Sequence, residues 1–284
     1  MSGTIPESLT IRTARAALAM VGLAFAAMLP SIAFAQPATA TAQKATAVVA
    51  TPSGATPPGA ATPGDTLVFG GTGQLGAQIV RRLVAAGHHV TVFARPNADR
   101  SRLRGLDVGF VTGDLLNAAD IAAAMQARRY AVVVNAVRVE DDDLHFYEKI
   151  MRPIAAQAKT SGVGQVIHHG AVGAGSNAAK FTSLGWAQRP GLLERLADQG
   201  VGETLLKGSG VPWTIIRNAR LYPDEAPATG QAALTEDDAV LTPMTRADLA
   251  ILTLRCVDNP ACFGKTYHVQ DRSLAWPPPS AATR

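Results

Sequence analysis

The sequence between Asp65 and Trp276 predicts a single doubly wound α/β domain built on a parallel sheet, on three observations. Short apolar runs alternate with longer amphipathic stretches, and the runs are rich in β-branched residues. The first run enters a glycine-rich turn that passes directly into helical periodicity. Ten of the 18 prolines lie before Asp65 or after Trp276, which leaves the intervening segment free of the composition that prevents a packed core.

The strand-like runs are 66–69, 90–93, 108–111, 131–135, 165–168, 213–216 and 265–269. Between them, helical spacing of apolar residues covers 74–86, 118–127, 143–161, 191–208 and 246–257. Strands separated by helices of this length return parallel through right-handed crossovers, so one sheet covered on both faces accounts for residues 65–276.

The ends differ in kind. Residues 16–35 carry no charge, follow Arg12 and Arg15, and finish in Ala33-Phe34-Ala35, the small-x-small pattern of a signal-peptidase site. Residues 1–35 therefore read as a signal peptide cleaved after Ala35, making the protein exported or periplasmic; an uncleaved membrane anchor is the alternative. Residues 36–64 hold one charge, Lys44, and too little apolar surface to offset the entropy of ordering, so they read as an Ala/Thr/Pro-rich disordered linker. The polyproline ending, 277–284, reads as a disordered tail.

Composition excludes several classes. With 284 residues, 47% hydrophobic and two cysteines, the chain is neither a disulfide-stapled mini-protein nor a polyampholyte. A net charge of +4 without any run of four Lys/Arg argues against nucleic acid as a partner. A membrane enters only through the N-terminal segment, and a small molecule is the expected partner.

The first run leads into Gly70-Gly71-Thr72-Gly73-Gln74-Leu75-Gly76, a G-x-x-G-x-x-G spacing at a strand-to-helix junction. Gly70 allows the sharp turn, Gly73 lets a pyrophosphate approach the main chain, and Gly76 lets the helix close onto the strand. Thr72, Gln74 and Leu75 supply the remaining backbone of this anion site. The second run ends not in a carboxylate, which would accept from ribose hydroxyls, but in Arg95, suited to a 2′-phosphate, with Arg100, Arg102 and Arg104 in reserve. NADP(H) is therefore favoured over NAD(H). Asp114-Leu115 follows the third run and Asn135-Ala136 the fourth, at the edge where ligands of such sheets lie. Asp114 is suited to the adenine amino group or to capping the helix that starts near Asn117; Asn135 is suited to the nicotinamide-ribose end.

Together with 203–218 (ETLLKGSGVPWTIIRN) and Thr245-Arg246-Ala247-Asp248-Leu249-Ala250, these segments resemble an atypical short-chain dehydrogenase/reductase of the NAD(P)H-binding, NmrA-like type over about residues 66–270. The resemblance implies a Rossmann domain holding a nicotinamide dinucleotide, in a family that includes flavin, quinone and biliverdin-type reductases as well as non-catalytic sensors. Catalytic members commonly place Tyr and Lys one helical turn apart; here Tyr130, Tyr147, Tyr222 and Tyr267 have no Lys four residues on, and Gly170-Ala171 stands where serines are common. Two functions follow: hydride transfer from NADPH to a small acceptor such as a flavin or quinone, or dinucleotide binding by a sensor or protein-interaction module without turnover.

Four further groups have two readings each. His168-His169 is either a proton donor near the nicotinamide or one buried and one exposed imidazole at a strand end. Glu140-Asp141-Asp142-Asp143 lacks spaced His or Cys companions, so a helix N-terminus is a better reading than a metal site. Arg217-Asn218 either orients an anionic acceptor or is a surface pair, and Cys256 and Cys262 are either a disulfide or two inert thiols.

Overall fold

Seven apolar runs become strands because their β-branched side chains pack on both faces of one sheet, and an eighth, very short strand joins them. The computed structural model describes residues 64–139, 143–181 and 190–276. The signal peptide, linker residues 36–63, the tail and Glu140 to Asp142 of the acidic group lie outside the described residues.

The strands are β1 (Asp65–Phe69), β2 (His89–Ala94), β3 (Val108–Thr112), β4 (Val132–Asn135), β5 (Gln165–Ala171), β6 (Trp213–Asn218), β7 (Ala233–Thr235) and β8 (Lys265–Gln270). Their order is β3-β2-β1-β4-β5-β6-β8-β7, with every pairing parallel except β7 on β8. The helices are α1 (Gln74–Ala85), α2 (Ala118–Gln126), α3 (Phe146–Thr160), α4 (Ala178–Phe181), α5 (Leu192–Lys207) and α6 (Arg246–Cys256). One core lies between the sheet and α1 with α6, through Val68, Val134, Ile79, Leu83 and Leu249. The other lies beneath α2, α3 and α5, through Leu67, Phe69, Ile121, Ile150 and Leu206.

Three caps fix helix starts at the sheet's carboxyl edge. Asn117 accepts from Ala119 N ahead of α2, and Thr245 accepts from Asp248 N ahead of α6. The start of α3 is capped from another helix: Asp198 of α5 accepts from Tyr147 N at 2.6 Å and Glu148 N at 3.0 Å.

Several expected boundaries move. β5 runs on to Ala171, so His168 and His169 sit inside a central strand rather than at its end, and β6 runs on through Arg217 to Asn218. α3 begins at Phe146, because Asp143 instead accepts from His145 N and pairs with Lys149. Between β2 and β3 the chain forms only a 3-10 turn, Ser101–Leu103.

At the opposite, amino edge, Cys256 and Cys262 form a disulfide, deciding between the two readings of that pair. Gln165 donates to the Cys256 carbonyl and to Thr214 Oγ1, each at 2.9 Å, while Thr214 donates to the Cys262 carbonyl at 2.8 Å. The loop that delivers the chain into β8 is thereby tied to the first residues of β5 and β6. Closing so short a loop constrains the unfolded chain by about 2 kcal/mol. The double variant Cys256→Ala/Cys262→Ala should lose that much in urea unfolding, and an unchanged midpoint would show that the hydrogen bonds alone hold the loop.

Candidate functional site

The turn after β1 is shaped by what its glycines lack. Gly70 has φ +76°, and a Cβ there would lie 2.8 Å from the Ala136 carbonyl oxygen. At Gly76 a Cβ would lie 2.1 Å from the Gly70 carbonyl oxygen, so only hydrogen permits α1 to start this close to β1. Gly71, which the spacing did not single out, is also crowded, since a Cβ would meet Val92 Cγ1 at 2.8 Å. Gly73 closes the turn by donating to the Gly70 carbonyl at 3.0 Å and occupies the N-cap of α1.

No side chain caps α1, and its first turn contains no acidic residue. Its leading backbone N–H groups therefore meet the carboxyl edge with the positive end of the helix dipole behind them. Gly73 and Gln74 are exposed, Thr72 is half-buried, and Leu75 turns its side chain toward the core and offers main chain only. A turn this tight, followed by uncapped amides at a helix start, fits a pyrophosphate.

Arg95 is the first residue past β2 and is exposed. Gly113 N donates to the Ala94 carbonyl at 3.1 Å, which brings Asp114 beside the end of β2. Asp114 is exposed and does not cap α2: its carboxylate accepts from Leu116 N, and its own N–H is held by Asp120. Leu115 packs on the core under α2. Ala136 N donates to the Phe69 carbonyl at 3.0 Å, joining the loop after β4 to the glycine turn. The ends of β1, β2, β3 and β4 thus bring Gly70 to Gly76, Arg95, Asp114 and Ala136 to one edge.

Asn135 does not join them. It is fully buried, its carbonyl accepts from Val137 N at 3.2 Å, and its amide donates to Met151 Sδ and to His168 Nδ1. The side chain shapes the loop after β4 from below.

The histidine pair is also corrected, because both rings are buried, on opposite faces of β5. Acceptance from Asn135 at Nδ1 leaves the His168 proton on Nε2. His169 Nε2 lies 3.1 Å from Thr253 Oγ1, whose own proton goes to the Leu249 carbonyl. Burial lowers His168 to about 4 against the opposing Glu203 carboxylate, with the Arg217 charge a smaller contribution in the same direction as burial; burial and the neighbouring His168 lower His169 to about 3. Both are neutral at pH 7, so neither serves as a readily available proton donor.

Arg217 does not lie on the surface. It is 1% exposed and forms a fork with Glu203 of α5, Nε to Oε1 at 3.0 Å and Nη2 to Oε2 at 2.5 Å. A Cβ at Gly170 would lie 2.8 Å from Glu203 Oε1, so a side chain there would have to displace the fork. Glu203 was not identified from sequence, since nothing in its spacing marks it as the partner of Arg217.

The start of α6 organises the loop that leaves β6. Tyr222 N donates to the Met244 carbonyl at 2.8 Å, Arg246 donates to the Tyr222 carbonyl, and Asp248 accepts from Thr229 N at 2.7 Å and Gly230 N at 3.1 Å. Asp248, buried and anchored by Thr245, was likewise missed as a site-building residue.

A family model described as NAD(P)H-binding matches residues 70–260, from the first glycine of the turn to the disulfide loop. The chain belongs to this NAD(P)H-binding family. Sterol demethylase protein B of Methylococcus capsulatus (strain Bath) is 34% identical over 131 residues, which cover 44% of this chain and 40% of that protein. The match thus spans well under half of that relative's length. Among solved structures, ChuY, an anaerobillin reductase from Escherichia coli O157:H7, aligns with a TM-score of 0.65 at 22% identity, covering 74% of this chain and 98% of ChuY. A short-chain dehydrogenase/reductase from Veillonella parvula in complex with NADP aligns with a TM-score of 0.62 at 15% identity, over 78% of this chain and 100% of that one. At these identities the structures share the fold.

Two outcomes test the geometry of this family member. Gly76→Ala must displace backbone and should cost at least about 2 kcal/mol in urea unfolding; full stability would mean that the missing side chain at residue 76 does not set where α1 starts. The buried histidines are charged in the unfolded chain but not in the fold, so stability should be complete above pH 6.5 and fall as pH drops from about 6.5 toward 4. Each histidine contributes up to about 1.4 kcal/mol per pH unit in that window. Equal urea midpoints at pH 7 and pH 5 would contradict their burial, and His169→Gln should make the decline shallower.

Proposed function

We propose that this protein is an oxidoreductase that binds NADP(H) in preference to NAD(H) along the Gly70–Gly76 edge and passes hydride to a small acceptor such as a flavin or quinone. The observation that carries the reading is the obstruction any Cβ would cause at Gly70 and Gly76, combined with the uncapped start of α1. In this reading Arg95, exposed just past β2, pairs with the 2′-phosphate, and the exposed Asp114 accepts from the adenine amino group. The bound dinucleotide supplies the hydride; the chain's contribution is to bind, orient and exclude water. That ChuY, which shares the fold, is an anaerobillin reductase supports a reductive function.

A second reading is a dinucleotide-binding module without turnover. It is favoured by Glu203 filling the space at Gly170 and by Tyr147, a buried phenol whose pKa is raised by burial and which has no lysine one turn on. Export is proposed from the apolar N-terminal segment, and the disulfide supports it because such bonds persist in oxidising compartments. N-terminal sequencing of the secreted protein should begin at Gln36; an intact Met1 would refute cleavage.

Titration with NADPH and NADH should show tighter NADPH binding, and Arg95→Ala should weaken NADPH about tenfold while leaving NADH unchanged. Unchanged NADPH affinity would move the phosphate site elsewhere. NADPH oxidation with any member of a flavin and quinone panel supports the oxidoreductase, whereas tight binding without oxidation selects the module.

A further inference from the structure

Of the three arginines near Arg95, two are turned to other tasks or to solvent. Arg100 stacks over the Phe110 ring, 4.2 Å from its centroid, and Arg104 is exposed beyond the 3-10 turn. Arg102 behaves differently: its Nε donates to Asp224 Oδ2 at 3.3 Å, across 122 residues of sequence. Asp224 belongs to the loop that leaves β6 at the carboxyl edge and is pinned to the start of α6 through Tyr222. α6 and the 3-10 turn both pack against α1. Because its partner is fixed to the carboxyl edge, the Arg102 guanidinium is held at the end of the domain where α1 starts and Arg95 stands.

The Asp224 carboxylate is short of hydrogen bonds, although the Arg246 charge also lies near it. One oxygen accepts a single long hydrogen bond, and the other, Oδ1, is buried with no hydrogen-bond partner among the described residues. Arg102 and Asp224 remain 37% and 20% exposed, so the pair is not locked in the core. A dianionic phosphate has three acceptor oxygens and more charge than a carboxylate, and offers a guanidinium a better fork.

We infer that Asp224 is a specificity-determining residue for the dinucleotide: it holds Arg102 in place, and the 2′-phosphate of NADP(H) competes with it for that guanidinium. The inference rests on the dinucleotide reading above. Binding of the phosphorylated coenzyme trades one carboxylate contact for a phosphate contact and frees the loop after β6 at Asp224. NADH, with a 2′-hydroxyl, leaves the ion pair intact.

The test is a titration of the full chain with NADPH, NADH and adenosine 2′,5′-bisphosphate, for wild type, Asp224→Asn, Arg102→Gln and the neighbouring-charge control Glu225→Gln. Asp224→Asn should tighten NADPH and the bisphosphate about threefold to tenfold and leave NADH unchanged. Arg102→Gln should weaken both phosphorylated ligands and spare NADH, and Glu225→Gln should have at most a small effect. Equal shifts for Asp224→Asn and Glu225→Gln would mean that net charge alone acts, and would overturn the inference. So would an Asp224→Asn protein that melts as wild type and binds NADPH as wild type. Wild-type protein that binds neither coenzyme overturns the dinucleotide reading itself and the inference with it.

Discussion

The distance between the Gly76 Cα hydrogen and the Gly70 carbonyl sets the rest of the carboxyl edge. A single added carbon at residue 76 would sit 2.1 Å from that oxygen, so α1 can begin where it does only because the side chain is missing. With α1 in place, Gly73 caps it by main chain alone and the helix's first amides are left facing the edge. The same turn is pressed by Ala136 on one side and Val92 on the other, which ties β4 and β2 to it. Arg95 and Asp114 then reach the edge by strand register, each following a strand that runs parallel to β1.

Below this edge the fold uses polar groups to fix main chain. Asn135 holds the loop after β4, Asp198 holds the start of α3, and Asp248 holds the loop after β6. The Glu203–Arg217 fork joins α5 to β6 with both partners almost wholly excluded from water. Such a pair contributes little net stability over an apolar substitute but is costly to break singly, so it acts chiefly to fix how α5 sits on the sheet. The consequence is spatial: the space beside Gly170 is filled by the Glu203 carboxylate.

What the sequence made legible follows from the range of the interactions involved. Each of the seven longer strands and five longer helices announces itself through local periodicity, and the glycine turn through a spacing of three within seven residues. β7 did not, because three residues carry no measurable alternation and its pairing depends on β8, more than thirty positions later. The burial of Arg217, the internal use of Asn135 and the two-faced burial of His168 and His169 were misread for a common reason. Each depends on a partner from a different element, Glu203, Met151 or Thr253, which sequence spacing does not connect to it. Gly71 was overlooked because the constraint on it comes from a valine in the next strand.

The most direct test of the central claim is hydrogen–deuterium exchange of the full chain with and without NADPH, resolved to short peptides. Protection confined to the segment from Gly70 to Ala77, with a second protected stretch around Arg95, is the predicted result. Binding of NADPH that leaves the exchange of Gly70 to Ala77 unaltered would contradict the account, because the dinucleotide would then rest on some other part of the surface.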